Sequence, residues 1–171
     1  SLLCIVPISS AKDVGVPAQC EDVMLQAFYW DSYRLDKYGK TIWTNLIKDT
    51  AAINANFDLV WLPPSAKGGG VGYYHQCLSD QNGDWGQKIN LQRLIQGLRA
   101  GGTKVIADVV INHRGNKSSW CDFHEDDFTF LYGGKFQLTV EHICSGDGCF
   151  TDASSSCKGA TLRGAADTGT N

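Results

Sequence analysis

No stretch of this chain is long and apolar enough to cross a bilayer, and neither sign of charge dominates it. A net charge of −3 gives no reason to expect nucleic acid or an anionic membrane surface as partner. Methionine occurs once, and nothing repeats beyond a strand–helix alternation. The opening Ser1-Leu2-Leu3-Cys4-Ile5-Val6-Pro7-Ile8 is apolar but far too short to span, and it lacks a basic start. At most it is the remnant of a secretion signal. The glycine run Lys67-Gly68-Gly69-Gly70-Val71-Gly72 is followed by no Gly-Lys-Ser/Thr and no immediate helix, so it is not read as a phosphate cradle. A flexible substrate-side loop over Ser65 to Gly86 is expected instead.

What is present points to one domain of ordinary size. The 171 residues are 43% hydrophobic, enough to support a core. Five Trp and six Tyr are many for this length. Core packing is the first use for such rings, and a flat face for a sugar ring is the other. Seven cysteines favour an oxidising compartment and an exported, extracellular protein. Four of them, Cys121, Cys144, Cys149 and Cys157, fall in the loop-rich last third, where cross-links add most and where at least one disulfide is expected.

The pattern in order is β-α-β-α-β. Val23 to Phe28 reads as a first strand, and Thr41 as the cap of a helix with Ile42, Leu46, Ile47 and Ala51 on one face. Phe57 to Leu62 is a second strand, stopped by Pro63-Pro64. Trp61 within it is read as core. Leu91, Leu94, Ile95 and Leu98 have the spacing of a second helix, ended by Gly101-Gly102. The run Val105-Ile106-Ala107-Asp108-Val109-Val110-Ile111 is a third strand, buried on both faces, which ends in Asn112-His113-Arg114. Strands joined through helices are parallel, and such sheets bind ligands beyond their carboxyl ends. After Gly115 the pattern dissolves into short aromatic runs, one strand at Phe136 to Val140, and Cys/Gly/Ser/Asp-rich coil. The acidic run Glu125-Asp126-Asp127 reads there as a solvated patch. Cys121-x-x-His124 with His142-x-Cys144 and Cys149 offers nitrogen and sulfur for zinc, an alternative in which the chain is a disulfide- or zinc-stabilised interaction protein.

Asp108-Val109-Val110-Ile111-Asn112-His113 resembles the first signature of the α-amylase family of glycoside hydrolases. Leu25-Gln26-Ala27-Phe28-Tyr29-Trp30, Val60-Trp61-Leu62-Pro63-Pro64 and Gly72-Tyr73 agree with its secreted plant and bacterial members, in order and spacing. The resemblance covers roughly residues 22 to 171. It implies an α/β fold, the N-terminal part of a (β/α)₈ barrel through its first three βα units, plus an inserted irregular, β-containing domain. Residues 1–21 would form an N-terminal arm, 22–114 the partial barrel and 115–171 the truncated insert.

Roles follow from the resemblance residue by residue. Asp108 would orient the arginine that precedes the nucleophile. His113 would hydrogen-bond a hydroxyl of the sugar at the cleavage point, and Tyr73 would stack on that ring. Asn112, Asp167 and the Thr170 carbonyl would ligate calcium, a cation that takes six to eight oxygens. Substrates would be α-glucans: starch, glycogen or maltooligosaccharides. Retaining glycoside hydrolysis needs two carboxyl groups about 5–5.5 Å apart. In the family these come from strands four and five, so both the nucleophile and the acid/base are expected beyond Asn171. On that reading the 171 residues alone are inactive, and a C-terminal part or another chain completes the barrel. A non-catalytic glucan-binding or assembly subunit derived from such an enzyme is the alternative.

Overall fold

The computed structural model describes residues 21–119 and 121–143. The arm up to residue 20, Cys144, Cys149, Cys157, Asp167 and Thr170 lie outside the described residues. In chain order the elements are β1 (Met24–Gln26), α1 (Ile42–Asn56), β2 (Leu59–Leu62), β3 (Lys67–Gly69), β4 (Tyr74–Cys77), α2 (Lys88–Ala100), β5 (Lys104–Ala107), β6 (Glu125–Asp127), α3 (Thr129–Tyr132) and β7 (Lys135–Gln137). They divide into two compact units, Ser1–Pro63 with Ile89–Asp108 and Pro64–Lys88 with Val109–Asn171.

The first unit holds the parallel sheet. Its order is β1-β2-β5, with Leu25 opposite Val60 and Val60 opposite Val105. The central strand buries Val60 and Leu62, while Leu59 and Trp61 on the alternate positions are half-buried. Trp61 therefore serves as a partial core residue, its ring meeting Phe28 edge-on at 5.3 Å. On α1 the buried residues are Trp43 and Ile53, and Ala51 is exposed. The inward stripe thus runs Trp43-Leu46-Thr50-Ile53, rotated from the expected face toward Trp43, whose large ring gains most from burial. Thr41 is the N-cap of α1 by backbone geometry, yet its hydroxyl meets the Thr44 hydroxyl at 3.2 Å and makes no cap bond.

Helix α2 buries Leu91, Leu94 and Leu98 and stops where the spacing places its end. Thr103 N–H donates to Leu98 O at 3.0 Å, and Gly102 takes a φ of +91°. This left-handed close satisfies carbonyls that the last turn would otherwise orphan. Asn54 of α1 locks the junction: its Nδ2 donates to Gly97 O at 3.1 Å, and the buried Thr103 hydroxyl donates to its Oδ1 at 2.7 Å.

The third strand is shorter and more open than expected. β5 ends at Ala107, Val105 and Ile106 are half-buried, and Val109 and Ile111 are exposed. The cause is the neighbour: Pro63-Pro64 ends β2, so only Asp108 N–H to Leu62 O at 3.3 Å prolongs the ladder. Among the described residues β5 pairs on one edge only.

In the second unit the stretch expected as a loop folds into an antiparallel hairpin of β3 and β4, with Gly68 opposite His75 and Gly69 opposite Tyr74. Gly68 is required there, because a Cβ would sit 2.4 Å from His75 Cα. A second hairpin pairs β6 with β7, Asp126 opposite Phe136. The strand expected at Phe136 to Val140 is thus displaced toward the N-terminus, and Val140–His142 form a 3₁₀ turn. No helix among the described residues is long and apolar enough to cross a membrane.

Candidate functional site

In the second unit the chain passes through a 3₁₀ turn, Gly70–Gly72, that delivers Tyr73 to the start of β4. Tyr73 N–H donates to Gly70 O at 3.1 Å. Its carbonyl lies 3.0 Å from His113 Nε2. A carbonyl can only accept, so His113 carries a proton on Nε2 in this contact, and in the neutral ring Nδ1 is an acceptor. The imidazole lies 5.6 Å from the Tyr74 ring and 6.5 Å from the His75 ring, tilted by 32° and 24°. Tyr73, Tyr74 and His75 are thus gathered against one exposed histidine.

The residue after His113 holds this arrangement. Arg114 donates from Nε and Nη2 to Gln76 O, at 3.2 and 2.8 Å, and from Nη2 to His124 O at 3.3 Å. The same nitrogen is 2.5 Å from Asp126 Oδ2, with the two side chains 11% and 1% exposed. Asp126 Oδ1 accepts from Ser79 N–H at 2.8 Å and from the Cys77 thiol at 3.2 Å. Gly115 N–H donates to His75 O at 2.7 Å, and a Cβ on Gly115 would lie 2.7 Å from Tyr74 O. Residues 113–115 are in this way stitched onto β4.

The electrostatics follow from this network. Burial raises the Asp126 carboxyl, but Ser79 N–H, the Cys77 thiol and the Arg114 guanidinium outweigh it and hold the group below the ordinary carboxylate range. His75 is lowered, first by burial and then by the neighbouring Arg114 and His113, against the pull of Asp126. The acidic run is therefore not a solvated patch. Its middle residue is the fully buried partner of an arginine, and only Glu125 and Asp127 face solvent.

Of the residues singled out in the sequence, the structure joins Tyr73 to His113. Asn112 stands beside His113 in the chain and is exposed. Asp108 is half-buried at the end of β5, in the first unit. Among the described residues no three His, Cys, Asp or Glu side chains converge as a metal cluster. One exposed amide oxygen from Asn112 does not by itself fit the oxygen set that calcium takes; the other two candidates, Asp167 and Thr170, lie outside the described residues. Cys121 is disulfide-bonded, which takes its sulfur from the zinc alternative; Cys144 and Cys149 of that alternative lie outside the described residues. In the sequence Asp126 has a place only in a solvated patch, and Cys77, Ser79 and Trp85 have no part in the site. The available signal was Arg114, a cation set directly after the motif with nothing near it in the chain to pair with.

No protein-family model matches the chain. The curated proteins it does match are glucan-acting hydrolases of the α-amylase type, and the chain resembles them over 54–60% of its length. It is 33% identical over 107 residues to a probable alpha-amylase 2 of Arabidopsis thaliana, and 30% identical over 106 residues to a glucan 1,4-alpha-maltotetraohydrolase of Stutzerimonas stutzeri. The matches take in 60% and 54% of this chain but only 24% and 19% of those relatives. Among solved structures, a gamma-CGTase of alkalophilic Bacillus clarkii superposes with a TM-score of 0.52 at 14% identity, over 78% of this chain and 24% of that one. The parallel β1-β2-β5 sheet with α1 and α2 is the start of a (β/α)₈ barrel, carried together with an irregular, β-containing second unit.

Proposed function

We propose that the chain forms part of the glucan-binding cleft of an α-amylase-type enzyme that hydrolyses internal α-1,4-glucosidic bonds in starch, glycogen or maltooligosaccharides. The observation that supports it is the contact of His113 Nε2 with the Tyr73 backbone carbonyl at 3.0 Å, which holds the two residues of the resemblance side by side. Tyr73 stacks on the apolar face of a sugar ring, and His113 bonds a ring hydroxyl through its free nitrogen. Asp108 orients the arginine that precedes the nucleophile. Asn112, with Asp167 and the Thr170 carbonyl, would hold calcium. The disulfide at Cys121 supports an exported protein. The chain taken alone binds glucan without cleaving it, because the family's paired carboxyl groups are not among these residues.

Titration with maltoheptaose tests the reading. Tyr73→Ala and His113→Ala should each weaken binding by about tenfold, the loss of one good contact. Absence of binding by the wild type, or affinity unchanged in both variants, would overturn it. Calcium should raise the melting temperature of the wild type and not that of Asn112→Ala; an equal rise in both removes Asn112 from the site.

A further inference from the structure

We infer that Trp85 is a positioning residue: its indole N–H pins Val71 in a left-handed backbone, and that kink sets the direction in which Tyr73 is presented. The inference rests on the reading of Tyr73 as a sugar platform. It starts from three consecutive residues, Gly70, Val71 and Gly72, with φ of +56°, +51° and +90°. Glycine takes this conformation at little cost, and at Gly72 it is doubly needed, since a Cβ would lie 2.3 Å from Pro64 O. Val71 has no such freedom. It is β-branched, and it is the one non-glycine residue with positive φ among the described residues. A backbone of this kind persists only where its surroundings over-determine it.

The surroundings that do so are visible. The Val71 carbonyl accepts the Trp85 indole N–H at 2.7 Å, and both side chains are buried, the indole 1% exposed. Breaking the bond would leave two polar groups without solvent, a larger loss than making it gains. The turn that carries Trp85 is itself seated on the base of the hairpin. Gly86 N–H donates to Gly83 O at 3.2 Å, and Gly83 is so close to Ser65 that a Cβ would lie 3.0 Å from its carbonyl. Trp85 thus braces Val71 from a fixed point. Two residues on, Tyr73 is held by its N–H to Gly70 O and its carbonyl to His113. Were Val71 to relax to negative φ, the chain would leave Gly72 in another direction and both bonds would go.

The test separates a pin from ordinary core packing. Trp85→Phe keeps a large buried ring and removes the N–H. Val71→Gly removes the cost of the left-handed backbone, so the kink no longer needs a brace. In the full chain, Trp85→Phe should weaken maltoheptaose binding by about tenfold and speed exchange of the Tyr73 amide by a similar factor. Val71→Gly in that background should bring both back to within about threefold of wild type. If Trp85→Phe does not fold, recovery of the fold by Val71→Gly supports the pin, and failure to recover overturns it. Losses that Val71→Gly leaves untouched make Trp85 a packing residue and sink the inference. If the wild type binds no maltoheptaose, the sugar reading fails, while Tyr73 amide exchange in the same variants still decides the pin.

Discussion

The Arg114–Asp126 pair shows what a single residue decides here. Glu125, Asp126 and Asp127 are alike in sequence, but strand alternation in β6 turns the middle one inward. Inside, it meets the guanidinium of Arg114, which also closes two backbone carbonyls. Such a pair gives little net stability against an apolar substitute, but breaking it leaves a buried charge without a partner. Asp126→Asn should therefore lower the unfolding free energy by about 3 kcal/mol in urea at pH 7. The double variant Asp126→Leu/Arg114→Met should recover much of that loss. A loss of under about 1 kcal/mol would place the pair among weak surface bridges. The pH sign follows from the lowered carboxyl. Its contribution is complete above the unfolded value of about 3.9 and disappears as pH falls through the lower folded one, so the gap between wild type and Asp126→Asn should close in acid.

At the scale of elements, α1 and α2 are legible from their apolar spacing, because that period depends only on near neighbours in the chain. Their junctions were legible in part. Gly101-Gly102 marks the end of α2 in the sequence, but the two glycines serve different ends. Gly102 is needed for its φ of +91° and has open space around it. Gly101 is needed for room, since a Cβ would lie 1.9 Å from Asn54 Nδ2 and 2.3 Å from its Cγ. Gly101→Ala should displace Asn54 and cost its bonds to Gly97 and Thr103, about 2 kcal/mol, whereas Gly102→Ala should cost about 1 kcal/mol of backbone strain. Melting curves showing the reverse order would mean that Asn54 moves aside freely. The β3–β4 hairpin was not legible. Its strands are short, β3 is mostly glycine and β4 has no β-branched residue, so they lack the alternation by which strands are recognised, and the close approach of backbones at Gly68 holds them instead.

Over the whole molecule, the two units differ in what they bury. Among the described residues, the first buries apolar side chains and Thr103; the second buries, beside Val71, Trp85 and Phe123, the titratable side chains of His75 and Asp126. His75 is lowered by burial, so below about pH 6.5 the unfolded chain takes up a proton that the folded one resists, and stability falls with pH. Asp126 adds its loss further into acid. Amide protection relative to the intrinsic exchange rate should therefore fall at Tyr74, His75 and Trp85 before it falls at Val60 and Leu94 as pH drops from 7 toward 4. A simultaneous fall in protection would show that the acid-labile groups do not act locally. The sequence by itself determined the β-α-β-α-β order, the end of α2, the strand stop at Pro63-Pro64 and the residues that carry the resemblance to α-amylases, because spacing, caps and rigid residues act over a few positions. Only the tertiary structure decided that Asp126 is buried, that β5 stops at Ala107, that His113 meets the Tyr73 carbonyl and that Val71 is held left-handed. Each of those depends on a partner far away in the chain, and only folding brings that partner within hydrogen-bonding distance.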